Sequence, residues 1–240
     1  MHSDFILSNI MDVIDDGIQA SASIHESMSH YPLCEYLLQG IFLRLTGYQE
    51  QKLKCIMWEL ATHDLSLRYR YLSGQISIGE CSRLEDKNKV LFELLTSLES
   101  CGHAYTFPNT IDVETQIDAI RNKLKYRLEH SIFAKWLPRD YNSFVSFADS
   151  VKAQANGYFS SKNCFGTDSK LKEAYDKVFI HRNRCAHNLF SYQNNVPTLQ
   201  DVTKDLHGSD NYFSRIFILA LIDNIYVQVF SHFYRNVLHR

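Results

Sequence analysis

Apolar residues recur along this chain at steps of three and four, and two-residue alternation is nearly missing, so the pattern predicts helices and no sheet. Pro32 opens a predicted helix in which Leu33, Tyr36, Leu37, Gly40, Ile41, Arg44 and Leu45 follow i, i+3, i+4 spacing. A second segment, from about Gln49 to Tyr71, sets Leu53, Ile56, Met57, Leu60 and Ala61 on one face. Glu50 precedes Lys54 by four residues, the favourable order for a helical ion pair. Ser73 to Gly79 breaks the pattern and reads as a loop. Helical spacing resumes with Leu84, Val90, Leu91, Leu94, Leu95 and Leu98, and stops near Gly102; Pro108 and Asn109 mark the next break.

From Ile111 to Trp136 the pattern predicts one long amphipathic helix, closed at Leu137-Pro138 because proline cannot continue a regular helix without losing a backbone bond. Phe144, Val145, Ala148 and Val151 mark a shorter helix ending near Asn156-Gly157. A polar loop runs to Ser169, which caps a helix from Lys170 to His187. Ser191 to Asn211 is polar, contains Pro197 and Gly208, and reads as a long loop, a place where function often resides. Tyr212 to Val237 is apolar over most of its circumference and reads as a buried central helix. The expectation is an all-α, multi-helix bundle of seven or eight helices, without internal repeat or domain boundary, forming one enlarged domain over residues 1–240.

Composition narrows the class. The chain has 240 residues, 45% hydrophobic and 22% charged, with 9 Gly and 4 Pro, which excludes intrinsic disorder and long linkers. A net charge of -2 excludes a broadly basic coat for nucleic acid but leaves room for a local basic cleft. The longest purely apolar run, Ile216 to Ile222, is shorter than the about 18 residues that span a bilayer. Asp4, Asp12, Asp15 and Asp16 stand where a signal peptide would be basic and apolar. Six cysteines are scattered without a CxxC pair, as expected of reduced thiols. These signals together predict a cytoplasmic protein with no membrane association.

One stretch carries chemistry. His181-Arg182-Asn183-Arg184-Cys185-Ala186-His187-Asn188 packs two arginines, two histidines and two asparagines into eight residues after an apolar helical face. Over Lys170 to Asn188 five Lys/Arg meet two Asp/Glu, a local +3 within a slightly acidic chain. A solvated helix end would also favour such cations. Asn183 and His187 lie i, i+4, so a hydrogen bond could orient the imidazole for acid–base work. Arg182 lies five residues before His187, roughly 140° around an ideal helix, so the two do not converge on one straight helix. Either the helix ends between them, or a symmetric dimer completes the site.

Arg182-Asn183-Arg184-Cys185-Ala186-His187-Asn188 resembles the signature of the HEPN superfamily: an arginine, a polar residue, three further positions, then a histidine. HEPN proteins are compact helical domains that commonly dimerise, and many are metal-independent endoribonucleases of toxin–antitoxin and phage-defence systems. The resemblance implies Arg182, Asn183 and His187 as catalytic residues, with Arg184, His181 and Asn188 as auxiliaries that bind substrate. It implies a HEPN-like core over about 140–240 with N-terminal helices 1–139 packed on it. It further implies an RNA substrate, a homodimer, and an antitoxin or other regulatory protein as partner, with no cofactor and no metal. The residue types suit that chemistry. RNA supplies its own 2′-hydroxyl nucleophile, histidine moves the proton, and the arginine fork stabilises the phosphate oxygens as charge grows. The alternative is a non-catalytic HEPN-like module for protein interaction or nucleotide binding; a third class is a helical scaffold in which the motif is accidental.

Other candidates are weaker. Arg121, Lys123, Lys125 and Arg127 could track an RNA backbone, but a solvated helix face offset by Glu114, Asp118 and Glu129 explains them better. In Arg68-Tyr69-Arg70-Tyr71 the tyrosines read as half-buried packing in preference to base-stacking platforms. Cys101-Gly102-His103 and Cys185-Ala186-His187 lack the spacing of a structural zinc site. Glu50, Glu59 and Asp64 could join a polar shell, although nothing in the sequence brings them to His187.

Overall fold

Helix boundaries follow the capping chemistry more closely than the apolar periodicity. A computed structural model describes residues 2–24, 30–103, 112–155, 170–187 and 210–238, apart from the side chains of Tyr31, Lys170 and His187. Its helices are α1 (Ser3–Leu7), α2 (Met11–Ser21), α3 (Tyr31–His63), α4 (Leu65–Leu72), α5 (Leu84–Ser100), α6 (Val113–Leu128), α7 (Ile132–Trp136), α8 (Pro138–Lys152), α9 (Lys170–His187) and α10 (Tyr212–Phe233). A π-turn at Tyr234–Leu238 extends α10. No strand occurs among the described residues, so the chain is all-α.

Three boundaries differ from expectation. The segments starting at Pro32 and Gln49 are one 33-residue helix, α3. Its junction at Thr46-Gly47 stays helical as the buried stripe Phe42, Leu45, Gln49, Leu53 keeps phase; the Thr46 hydroxyl donates to the Leu43 carbonyl, 2.9 Å away. The chain turns instead at Asp64, whose carboxylate accepts from the Ser66 and Leu67 amides at 2.8 and 3.1 Å and caps α4. The long helix expected over Ile111 to Trp136 stops at Leu128, where Ser131 caps the short α7. Pro138 then starts α8 from the first turn, where its missing N–H costs nothing. Helices α1 and α2 add to the predicted set, and Met11, Ile14 and Ile18 carry helical spacing in α2. The loops expected at 156–169 and 191–209 lie outside the described residues.

The core is organised around α10. Sixteen of its 22 residues are buried, and it touches α1, α3, α5, α6, α8 and α9. By length and composition, Tyr212–Leu238 is also a helix long and apolar enough to cross a membrane, which the uninterrupted run Ile216–Ile222 understated. Here its apolar faces are covered by protein: Phe144 and Phe147 of α8 pack on Phe217, with centroids 5.8 and 6.3 Å apart. Asn211 caps it, accepting from Ser214 N at 2.9 Å.

Two lysines enter this interior. Lys52 of α3 pairs with Asp223 of α10 at 2.9 Å, with both side chains under 5% exposed, and donates to the Ser8 carbonyl at 2.6 Å. Lys87 of α5 is 1% exposed, and its Nζ sits over the Tyr175 ring of α9, 5.5 Å from the centroid. Glycines mark close approaches. A Cβ at Gly17 of α2 would collide with the Ile41 side chain of α3, so the α2–α3 contact requires the absence of a side chain there. Without such a reason, a glycine inside a helix costs roughly 0.5–1 kcal/mol relative to alanine.

Candidate functional site

Helix α9 delivers the basic motif to α3. Leu171, Tyr175, Val178 and Cys185 form its buried stripe, and Arg182 lies at the edge of that stripe. Among the described residues the Arg182 guanidinium makes two hydrogen bonds. Nη2 donates to Glu50 Oε2 of α3 at 3.1 Å, and Nη1 donates to Asn183 Oδ1 at 3.2 Å. Glu50 is 12% and Arg182 27% exposed, so the pair is shielded on one side and open to solvent on the other. Two oxygen acceptors therefore fix the plane of the fork, and its other donor positions meet no acceptor among the described residues.

Charge converges on Glu50. Besides Arg182, its carboxylate acts on Lys87 and on Lys54, and Lys54 pairs in turn with Glu80. Burial holds the Lys87 ammonium down at about 8, partly opposed by Glu50. Tyr175, buried beside these groups, donates to the Ser82 carbonyl at 2.8 Å; its phenol is pushed well up by burial, then by Glu50. Cys81 completes the cluster, buried and at a φ of 59°, with its thiol pushed up to about 11 by burial. Burial thus favours its neutral thiol over the nucleophilic thiolate.

The residues of the motif divide among three environments. Arg182 and Asn183 come together with Glu50. His181 turns the other way, with its ring 5.2 Å from those of both Phe42 and Tyr212 and its Nε2 3.4 Å from Cys185 Sγ. Burial, then the charge of Arg215, pushes its imidazole down to about 4, so it packs as a neutral ring. The expectation of a substrate-binding His181 thus falls on a partly buried ring that packs against Phe42 and Tyr212. Arg184 is exposed. The side chain of His187, and Asn188 altogether, lie outside the described residues, as does the Asn183–His187 hydrogen bond expected from the sequence. The backbone of α9 runs unbroken through His187, which removes the possibility that the helix ends between Arg182 and His187. Positions 182 and 187 of an ideal continuous helix lie about 140° apart around its axis.

Glu50 is the residue that periodicity could not connect. It is 132 positions from Arg182, and no local spacing encodes a contact between distant helices. The arginines among the other sequence candidates have structural partners. Arg127 donates to Asp15 at 2.8 Å, and Arg121 pairs with Asp118 and Asp149, so these arginines tie α6 to α2 and α8. Arg68 donates to the Ala61 and Thr62 carbonyls at the end of α3, and Arg70 pairs with Glu93 at 3.0 Å. Tyr69 and Tyr71 are exposed at 68% and 39%, not half-buried as the sequence suggested, because α4 buries only Leu67. Among the described residues no group of three His, Cys, Asp or Glu side chains could hold a metal ion. Comparison with protein-family models, curated proteins and solved structures finds no match.

Proposed function

We propose that the chain is a metal-independent endoribonuclease of the HEPN type, acting in the cytoplasm as a toxin or phage-defence effector. The observation that supports this reading is the Arg182 guanidinium, held in plane by Glu50 and Asn183 yet open to solvent, within the Arg-Asn-x-x-x-His motif. A fork fixed in this way meets a scissile phosphate without reorganising, which is where an arginine contributes most to a transition state. His187 transfers the proton between the 2′-hydroxyl and the leaving 5′-oxygen. The products are a 2′,3′-cyclic phosphate and a 5′-hydroxyl, and DNA, which lacks the 2′-hydroxyl, is not cleaved. Arg184 and Asn188 serve as outlying contacts to the RNA backbone. The 140° between Arg182 and His187 on a continuous α9 favours a site built from two copies, one supplying each residue.

The same angle supports the second reading, a HEPN-like interaction or nucleotide-binding module in which Arg182 serves α3 and no cleavage occurs. Purified protein incubated with single-stranded RNA in chelator separates the two. Cleavage with cyclic-phosphate ends, abolished separately by Arg182→Ala and His187→Ala, is the expected result. Intact RNA across a panel of sequences, or undiminished cleavage by His187→Ala, overturns the nuclease reading.

A further inference from the structure

Arg83 is an exposed cation held by a ring instead of a carboxylate. Its guanidinium lies over Phe179 of α9, 5.8 Å from the ring centroid. Arg70, Arg127, Arg182 and Arg215 each meet a carboxylate, and Arg68 meets two carbonyls. The acids nearest to Arg83 in sequence do not neutralise it. Glu80 pairs with Lys54, Asp86 pairs with Lys89 at 3.3 Å, and among the described residues no ion pair joins Arg83 to Glu85. Stacking occupies the flat face of a guanidinium and leaves the N–H donors around its edge for an anion.

The backbone that carries this side chain is fixed on both sides. The Ser82 carbonyl, part of the peptide bond into Arg83, accepts from the buried Tyr175 hydroxyl at 2.8 Å. The Arg83 carbonyl accepts from the Lys87 amide at 3.2 Å, where α5 begins. Phe179 is itself packed against the core. Tyr175 and Phe179 are one turn apart on α9, so a single helix face holds both the chain at Ser82 and the head of Arg83.

The candidate site lies one turn further along the same helix. Around an ideal helix Arg182 is about 60° to one side of Phe179 and Asn183 about 40° to the other, after a rise of about 4.5 to 6 Å. The ring that seats Arg83 therefore shares a side of α9 with the Arg182–Asn183 hydrogen bond. We infer that Arg83 binds the phosphate of an RNA chain next to the one that Arg182 meets. The identity of that ligand rests on the nuclease reading. A backbone lying along this side of α9 meets one fork held by Glu50 and Asn183, then a second seated on Phe179. Arg182 acts at the scissile group, and Arg83 sets the register of the strand.

Binding of a short single-stranded RNA carrying 2′-O-methyl groups throughout tests this, because blocking the 2′-hydroxyl lets affinity be read without cleavage. Fluorescence anisotropy between about 50 and 200 mM NaCl gives the slope of log K against log salt, roughly 0.7 for each phosphate neutralised on a single strand. Arg83→Gln is expected to weaken binding at least about fivefold and to reduce that slope by roughly 0.7, with the helical circular dichroism spectrum retained. Arg83→Lys is expected to keep the slope, since the charge remains. A wild-type slope in Arg83→Gln, an Arg83→Lys protein that loses slope as Arg83→Gln does, or a wild-type protein that does not bind the probe overturns the inference. Cleavage of ordinary RNA is a separate measurement. A protein that cleaves RNA while Arg83→Gln keeps the wild-type slope loses this inference and keeps the nuclease reading; one that binds the probe as expected but cleaves nothing does the reverse.

Discussion

Replacing Asp223 by leucine should unfold this protein far more readily than replacing Asp223 and Lys52 together. The two side chains are 4% and 3% exposed and pair at 2.9 Å between α10 and α3. Burial outweighs their mutual attraction: it pushes the Asp223 carboxyl up to about 6 and the Lys52 ammonium down from its usual value. The charged pair is thus stabilised by its partner but not by its surroundings. Asp223→Leu leaves Lys52 with the Ser8 carbonyl, at 2.6 Å, and the Tyr48 ring, 5.2 Å from its Nζ, and strands a buried cation without a counter-charge, at a cost of ~3–5 kcal/mol. Adding Lys52→Met removes the stranded charge and returns stability to within ~1 kcal/mol of wild type, or above it. A cavity of about 190 Å³ bordered by Asp223, Ala220, Ile10 and Ile120 has room for the larger leucine. Urea unfolding followed by circular dichroism at pH 7 measures all three proteins. A double variant as unstable as Asp223→Leu alone would refute the reasoning, because the loss would then come from shape and not from an unpaired charge.

Three further perturbations probe other parts of the structure. Between pH of about 8, where burial holds Lys87, and its usual 10.5, the unfolded chain binds a proton that the native state has released. Stability should therefore rise with pH across that window by ~3 kcal/mol, and Lys87→Met should abolish the rise; equal slopes for both proteins would contradict it. Glu50→Gln should lower RNA cleavage at least about tenfold, with unfolding stability changed by no more than ~1 kcal/mol, since the pair with Arg182 is partly solvated. Arg182→Lys should fail likewise, because an ammonium cannot reproduce the planar fork. Gly17→Ala should lower the melting temperature, corresponding to ~1–3 kcal/mol, despite alanine's higher helix propensity, through collision with Ile41. Combining it with Ile41→Ala should recover part of the loss if the collision is its cause.

Local periodicity was enough to read the all-α class, the burial of α10 and the helix carrying the motif, because a helix of period 3.6 writes its buried face into the sequence around it. Boundaries were harder. The segments predicted from Pro32 and from Gln49 are one helix, whereas Asp64 and Ser131 cap new helices by bonding backbone amides, a choice between alternatives that periodicity alone does not rank. Residue type and spacing single out Arg182 and Asn183 as candidates. Their partner Glu50 is not singled out, because it comes from a helix 132 residues earlier whose rotation is set by core packing. His181 shows the converse: beside Arg182 in sequence it looks like part of the site, yet one helical step of about 100° turns it into the rings of Phe42 and Tyr212. The sequence by itself therefore determined which residues lie on which face of each helix. Only the tertiary structure decided which faces meet, since that depends on how distant apolar stripes pack against one another.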